Sequence, residues 1–477
     1  MLNAQHHSRP RGIAVVDVGF TNTKVIIYDA ALNILAERKV TSPHHGGEHY
    51  REIDVGPILD FATSAIRELD AITPIDTIVP SAHGACIICL KADGSLAVPA
   101  MDYMSEPPAA VLAGYKKLMP DFAESYSPLL PMALLHSVQL YWQQTILPEA
   151  FAQTRTILPL MQYIAFGLGG RAVTEVSSMS CQSHLVDRRD GTPSSISRAQ
   201  GWDKLYAPEA KAWDTVGAFK SKLNGHGNIL AGVHDSNANY LRYLAGGQKH
   251  FTLLSSGTWI ISFDTDADMM QLDHAKDIVA NKDVFGRTIA CSRFFGGKEF
   301  EIIAKAADGS NATLASAAEL VSTGIMALPS FTHSGGPMPD TGGKGKIIGP
   351  LPGTDEARAS LASLYCALMM SESLDALHSK HAIIVDGPFS QNEVFLKLLA
   401  SLRPGQSIYA SNLRDGTATG AACLALMPDG LLTQADINMR RVAASEIELA
   451  DYQRDWKRKS MSPTAHPSRL ARARTSG

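Results

Sequence analysis

Three short segments gather the residue types that phosphate and proton chemistry require. Asp17-Val-Gly-Phe-Thr-Asn-Thr-Lys24 puts a carboxylate where an apolar run enters a turn. Gly19 lets the backbone come close to a ligand, and Thr21, Asn22, Thr23 and Lys24 supply hydroxyl, amide and ammonium donors. Phosphate oxygens suit such donors, and an adjoining carboxylate suits a hydrated magnesium ion. The same residue types fill ordinary hairpin turns, so this motif alone leaves both readings open. Leu253-Leu-Ser-Ser-Gly-Thr-Trp259 is a second small hydroxyl-bearing turn, informative as a pair with the first. In Leu230-Ala-Gly-Val-His-Asp-Ser-Asn237 a carboxylate, Asp235, follows an apolar segment and Gly232. It is placed to take a proton from a hydroxyl or to cap a helix. His234 beside it lacks a further ligand at metal-binding spacing. Ser81-Ala-His-Gly84 and Asp102 place polar residues at strand ends, where α/β proteins bind ligands. A structural histidine at position 83 is the alternative.

The elements that must position these residues read as α/β. Gly12–Gly19, Lys24–Tyr28 and Ile34–Val40 are short β-branched runs separated by turns, an antiparallel meander. Pro57–Leu69 has helical apolar spacing, and Gly84–Leu90 reads as a buried strand. About half a chain later the strand–turn–strand shape returns over His250–Phe263, which points to two similar domains with a seam near Leu244–Gln248. A long helix over Glu356–Ser379, a strand at Ala382–Val385 and the turn Asp386–Phe389 follow. A helix from Glu393 to Leu402 has Ser390 and Glu393 at capping-box spacing. A strand at Ser407–Tyr409 and a small-residue helix at Thr419–Met427 complete the pattern.

Composition narrows the function. The chain has 477 residues, too many for one core, and 43 basic against 47 acidic residues give a net charge of −4. That charge offers no field for a polyanion, so no nucleic-acid partner is expected. No uninterrupted apolar stretch spans a bilayer, and the polar N-terminus lacks a signal-peptide core. Six scattered cysteines, with the Cys86–Cys89 pair inside an apolar run, read as reduced core residues. The expectation is a cytoplasmic protein that handles small molecules. The basic segment from Arg454 onward reads as a solvated tail.

Taken in order, these motifs resemble those of the FGGY carbohydrate kinases, of the sugar kinase, actin and hexokinase superfamily. The resemblance runs from about Gly12 to Met427. Asp17–Lys24 is similar to the family's first phosphate motif and Ser255–Trp259 to the second. Asp386–Asn392 is similar to the adenosine motif, Gly232–Asp235 to the segment carrying the catalytic base, and Ser81–Gly84 with Asp102 to the sugar-contact segment. Thr174–Ser180 sits where members have a comparable Ser/Thr-rich stretch. Ser255–Trp259 together with Arg293–Glu299 most resembles the rhamnulokinase and L-fuculokinase branch. Phe20 departs from the small residue usual there, and Asp386 and Pro388 replace glycines of the adenosine turn.

The resemblance implies two actin-like (ribonuclease H-like) α/β domains, each a mixed sheet flanked by helices, around a deep cleft. The boundaries would be a flexible N-terminus at residues 1–11, a sugar-binding domain at 12–246, a nucleotide-binding domain at 247–452 and a basic tail at 453–477. It implies ATP-dependent phosphorylation of a small sugar, a ketose such as L-fuculose, L-rhamnulose or a pentulose. Asp235 would be the base, and His83, Gly84, Asp102 and His234 would touch the sugar. Asp17 would hold Mg2+, and Gly19, Thr21, Asn22, Thr23, Lys24, Ser256, Gly257, Thr258, Gly387 and Asn392 would hold the nucleotide. A homodimer is expected from the family. The alternatives are a polyol kinase of erythritol or glycerol type and a non-catalytic actin-like nucleotide binder. Two more are an acyl-phosphate enzyme of the superfamily and a nucleic-acid binder acting through the tail.

Overall fold

The apolar β-branched runs assemble into two mixed sheets that share a plan, an antiparallel meander on one side of a central strand and parallel strands on the other. The structure, a computed structural model, describes residues 12–221, 225–333, 336–412, 415–427 and 437–461. In the first sheet β1 (Gly12–Val18), β2 (Asn22–Tyr28) and β3 (Ile34–Thr41) form an antiparallel meander. On the other side of β1 run the parallel strand β4 (Ile75–Ala82) and then β5 (Thr215–Ser221) with β6 (Gly225–Leu230). The order is β3-β2-β1-β4-β6-β5, with the short β7 (Val233–His234) also on β4. Ile13 and Val15 of β1 join one buried cluster while Ala14, Val16 and Val18 join another, so the strand is covered on both faces.

The second sheet repeats the plan. β8 (Phe251–Ser256) pairs antiparallel with β9 (Ile260–Asp264), and β10 (Ile278–Lys282) and β11 (Thr288–Phe294) extend that side. Parallel β12 (Ala382–Asp386) and β13 (Ile408–Ser411) extend the other, with β14 (Met439–Val442) at the edge. This duplicated mixed sheet with flanking helices is the actin-like arrangement expected above. Among the described residues no helix is long and apolar enough to cross a membrane.

Pro80 shapes the first sheet next to the candidate base. A proline has no N–H to give a neighbouring strand. The partner strand on β4 breaks there: Ile229 pairs with Ile78, but Val233 pairs with Ser81, so one extra residue is inserted between. Gly232 takes φ +85° in that bulge, where an added Cβ would lie 2.4 Å from the Pro80 carbonyl oxygen. Bulges of this kind re-aim side chains beside active sites, and here His234 and Asp235 emerge from it. Because the strand Ile75–Ala82 contains this proline, the sequence pattern passes over it and assigns a strand to Gly84–Leu90; the strand there is Ile87–Leu90.

Two helices tie the sheets together. α2 (Asp235–Ala245) and α5 (Gly416–Leu424) are in direct contact, α1 being Val55–Asp70, α3 Asp355–Ala376 and α4 Glu393–Leu402. Ala418, Ala421 and Ala422 share a buried cluster with Ile13, Val15 and Ile26 of the first sheet. Tyr240 and Tyr243 of α2 share one with Phe251, Leu253 and Phe263 of the second. Gly420 makes the crossing feasible, since a Cβ there would lie 1.8 Å from the Ala238 carbonyl oxygen. Gly420→Ala is expected to cost about 1–3 kcal/mol through overpacking, read as a lowered unfolding temperature in a thermal scan.

Other expectations shift in detail. The helix expected to start at Thr419 starts at Gly416, behind Asp415. Ser390 does not cap α4; it lies in a 3-10 turn, and Asn392 caps the helix by accepting from the Phe395 amide at 3.0 Å. The segment expected to be a solvated tail from residue 453 includes α6 (Ala450–Met461), whose Trp456 is fully buried and donates to the Ala327 carbonyl at 2.7 Å. Residues 1–11 and 462–477 lie outside the described residues.

Candidate active site

The two repeated hairpins face each other across a cavity of about 230 Å³, whose lining includes Phe20, His83, Asp235, Gly257, Thr258 and Trp259. That is the space of about eight waters, enough for a small polyol and short of the roughly 300–1,000 Å³ of a drug-sized pocket.

The first hairpin turn is closed by the Gly19 amide on the Asn22 carbonyl at 2.9 Å. Ser42, just after β3, braces it. Its hydroxyl donates to the Gly19 carbonyl at 2.8 Å and lies 3.0 Å from the Thr23 hydroxyl, while its amide holds the Thr21 carbonyl. Thr23 is therefore buried and occupied, and Thr21 remains the exposed donor of the turn. Lys24 pairs across the hairpin register with Asp17 and forms an ion pair with Asp415, at the start of α5. Phe20 does not act as a phosphate donor; its ring packs 4.5 Å from His44 and 4.8 Å from Tyr103 and forms a wall of the cavity.

Asp235 is the first residue of α2. Its Oδ1 accepts from His234 Nε2 at 3.1 Å, from the Ser236 amide at 2.5 Å and from the Ser236 hydroxyl at 3.0 Å. The other side of the His234 ring faces the Asn237 amide at 3.1 Å, which fixes its orientation. Burial alone would raise the Asp235 carboxyl, but the His234 hydrogen bond and charge, with help from Ser236, hold it below the usual carboxylate range. Asp17 behaves in the opposite way. Burial, then the facing charge of Asp235, pushes its carboxyl up to about 7, although Lys24 opposes the shift; Asp415 adds to it. Two carboxyl groups in one site are thus driven apart, one ionised and one ready to carry a proton. A cation beside Asp17 would relieve this crowding of acidic groups, so the donor set fits magnesium held through water.

Beside Asp235, His83 has neither ring nitrogen paired among the described residues, and burial lowers it to about 4, which keeps the ring neutral. A neutral imidazole offers one donor and one acceptor. Gln182, which sequence reasoning missed, lines the same cavity with its Oε1 buried and unpaired among the described residues. Gly84 is required by closeness: a Cβ there would lie 2.5 Å from Cys181 Sγ and 2.8 Å from the His234 ring. Asp102, expected to touch sugar, does not line the cavity. It is buried behind Tyr103, taking His44 at 3.1 Å, Arg51 at 3.2 Å and the Met104 amide at 2.8 Å. His44 in turn contacts the Phe20 carbonyl at 2.7 Å, so Asp102 holds the wall in place.

On the second hairpin the Gly257 amide closes the turn on the Trp259 carbonyl at 2.8 Å. Ser256 is not a free donor. Its hydroxyl binds the Asp386 carbonyl and accepts the Phe389 amide at 3.1 Å, which joins the phosphate turn to the Asp386–Phe389 turn. Thr258 and Gly257 remain on the cavity wall. Trp259 stacks on Phe295 at 4.1 Å, with the Arg293 guanidinium 5.1 Å from its ring centre.

The departures in the adenosine turn have structural partners. The Asp386 carboxylate forms a buried ion pair with Arg242 at 3.0 Å. Pro388 opens a 3-10 turn, where its missing N–H costs nothing. Gly387 has φ +80°, and a Cβ there would lie 1.9 Å from the Ser256 carbonyl oxygen, so only glycine fits. Asn392 is held by the chain itself: its Oδ1 caps α4 and its Nδ2 donates to Ser363 at 2.8 Å. Thr174–Ser180 is likewise structural, wrapped around the buried Glu175 carboxylate.

Comparison with known proteins agrees with this fold. Residues 248–434 match the family described as carbohydrate kinase FGGY, C-terminal domain. The crystal structure of a carbohydrate kinase from Novosphingobium aromaticivorans is 32% identical, with a TM-score of 0.82 over 95% of this chain and 99% of that one. Ligand-bound xylulose kinase from Lactobacillus acidophilus shares the fold at 16% identity, with a TM-score of 0.76 over 94% of this chain and 96% of that one. Glycerol kinase from Ralstonia nicotianae is 34% identical over 130 residues, 26% of each chain.

Proposed function

This chain belongs to the FGGY carbohydrate kinases, ATP-binding phosphotransferases that act on a sugar or an alcohol, and on that premise we propose that it moves the terminal phosphoryl group of ATP to a hydroxyl of a small ketose or polyol bound between Asp235 and His83. One observation carries the reading: an ionised carboxylate, locked in place by His234 and Ser236, lines a sugar-sized cavity between two phosphate-type hairpins.

The residues divide the work as phosphoryl transfer requires, where positioning and electrostatics dominate. His83 and Gln182 hold sugar hydroxyls, and Trp259 and Phe20 shape the walls. The attacking hydroxyl gives its proton to Asp235 as its oxygen bonds to the γ-phosphorus, and the bond from that phosphorus to the β-phosphate bridging oxygen breaks to release ADP. Thr21 and the amides of the first turn, with Gly257 and Thr258 opposite, face the phosphates. Magnesium, held by Asp17 through water, would neutralise phosphate charge.

L-fuculose, L-rhamnulose and the pentuloses are the ketoses this site is proposed to accept. The segment shared with a glycerol kinase and the small cavity favour a second reading, a short polyol. ADP release measured against L-fuculose, L-rhamnulose, the ribuloses, the xyluloses, erythritol and glycerol tests both. One or two active compounds are expected; no stimulation by any sugar or polyol would contradict the proposal. With the active compound, His83→Ala should raise its KM about tenfold, as a lost hydrogen bond of about 1.5 kcal/mol would, and leave the KM for ATP unchanged.

A further inference from the structure

The strand order of the second sheet gathers another set of ligands, at the end remote from the cavity. β8 runs antiparallel to β9 and parallel to β12, so the start of β8, the end of β9 and the start of β12 meet at one end of the sheet. The residues at those positions are His250, Asp266 and His381. The turn at Ser256–Trp259 lies at the opposite end of β8, about 20 Å away at about 3.3 Å per residue.

His250 Nδ1 is 3.0 Å and 3.1 Å from the two Asp266 carboxylate oxygens, and His381 Nε2 is 3.5 Å from Asp266 Oδ2. The two imidazole centres are 5.3 Å apart, and one ligand atom from each of the three residues lies within 4.8 Å of the others. A tetrahedral zinc ion with bonds of about 2.0–2.1 Å separates its ligands by about 3.3 Å, and the 3.1 and 3.5 Å from the two histidines to the one oxygen Asp266 Oδ2 bracket that edge. The Thr265 hydroxyl donates to Asp266 Oδ2 at 2.6 Å, an outer contact of the sort that orients a ligating carboxylate. The side chains are 65%, 34% and 43% exposed, which leaves room for a metal and a water as fourth ligand.

We infer that His250, Asp266 and His381 form a three-ligand site for a late first-row divalent cation, zinc foremost. Two imidazoles and one carboxylate select against magnesium and calcium, which take oxygen ligands. Lys249 and Lys380 adjoin the histidines, so coordination rather than local charge holds the ion. The ion ties three strand ends of the sheet that carries the second phosphate hairpin.

Calorimetric titration of zinc chloride into the full chain tests this, with His6→Ala and His7→Ala introduced so that the N-terminal pair cannot contribute. One zinc per chain at micromolar affinity is expected. His381→Ala and Asp266→Asn, both changes of exposed side chains, should each weaken it by at least about tenfold. Cobalt(II) in place of zinc should give the visible absorbance of a four-coordinate site, lost in the same variants. Absence of stoichiometric binding, or binding equally strong in both variants, overturns the assignment.

Discussion

Asp235→Asn is expected to lower kcat by about 10²–10⁴-fold, the usual contribution of a general base, with the KM for ATP unchanged. The amide keeps the shape of the carboxylate and can still accept from His234 and Ser236 at Oδ1, so the start of α2 survives. It cannot take a proton from a sugar hydroxyl. The loss should therefore fall on the chemical step, and a thermal scan should show a folded variant. Turnover within a few-fold of the parent would remove Asp235 from the mechanism and leave its burial beside His83 unexplained. The variant also removes the negative charge facing Asp17, so the Asp17 carboxyl should ionise at lower pH than in the parent.

Asp17→Asn is the second large effect, and it separates stability from activity. In the folded chain the Asp17 carboxyl titrates near 7, chiefly because it is buried and then because Asp235 faces it; unfolded, it titrates near 3.8. Below about pH 4 both states hold the proton and the group contributes nothing. Between about pH 4 and 7 the unfolded chain releases its proton while the folded chain keeps it, so stability falls as pH rises. Above about pH 7 the cost is complete, at most ~4 kcal/mol from about three pH units at 1.36 kcal/mol each. In chelator, Asp17→Asn should match the parent at low pH and become the more stable protein as pH passes 7. Magnesium with ATP should recover stability in the parent only. Activity should move the other way, falling by about 10²-fold or more with the loss of an electrostatic anchor. Parallel stability curves across pH for the two proteins would contradict the burial of this carboxyl among Asp235 and Asp415.

The parts of the site that the sequence shows are those written contiguously. The hairpins at Gly19 and Gly257, and Asp235 after Gly232, each carry their own turn chemistry, so their residue types announce them. Ser42, His44 and Gln182 reach the site only by tertiary approach, and nothing local marks them. Asn392 and Asp102 show the converse. Both sit in the right segments, yet one is consumed by capping α4 and the other by His44 and Arg51. Asp386 reads as damage to a nucleotide turn until Arg242, 144 positions earlier, is seen to pair with it. The opening meander of the first sheet and its return in the second followed from the repeated strand–turn–strand pattern, but Ile75–Ala82 did not, because a central strand bearing Pro80 breaks the usual rule. α6 was missed because its charged residues outnumber the two buried aromatic side chains, Tyr452 and Trp456, that dock it.

Phosphorus NMR of the products formed from magnesium-ATP and the most active sugar or polyol tests the central claim most directly. The account predicts one new phosphate monoester resonance growing in step with ADP, with no inorganic phosphate and no reaction when the sugar is left out. Release of inorganic phosphate at the same rate with and without the sugar would contradict it, because the hydroxyl beside Asp235 would then not be the acceptor.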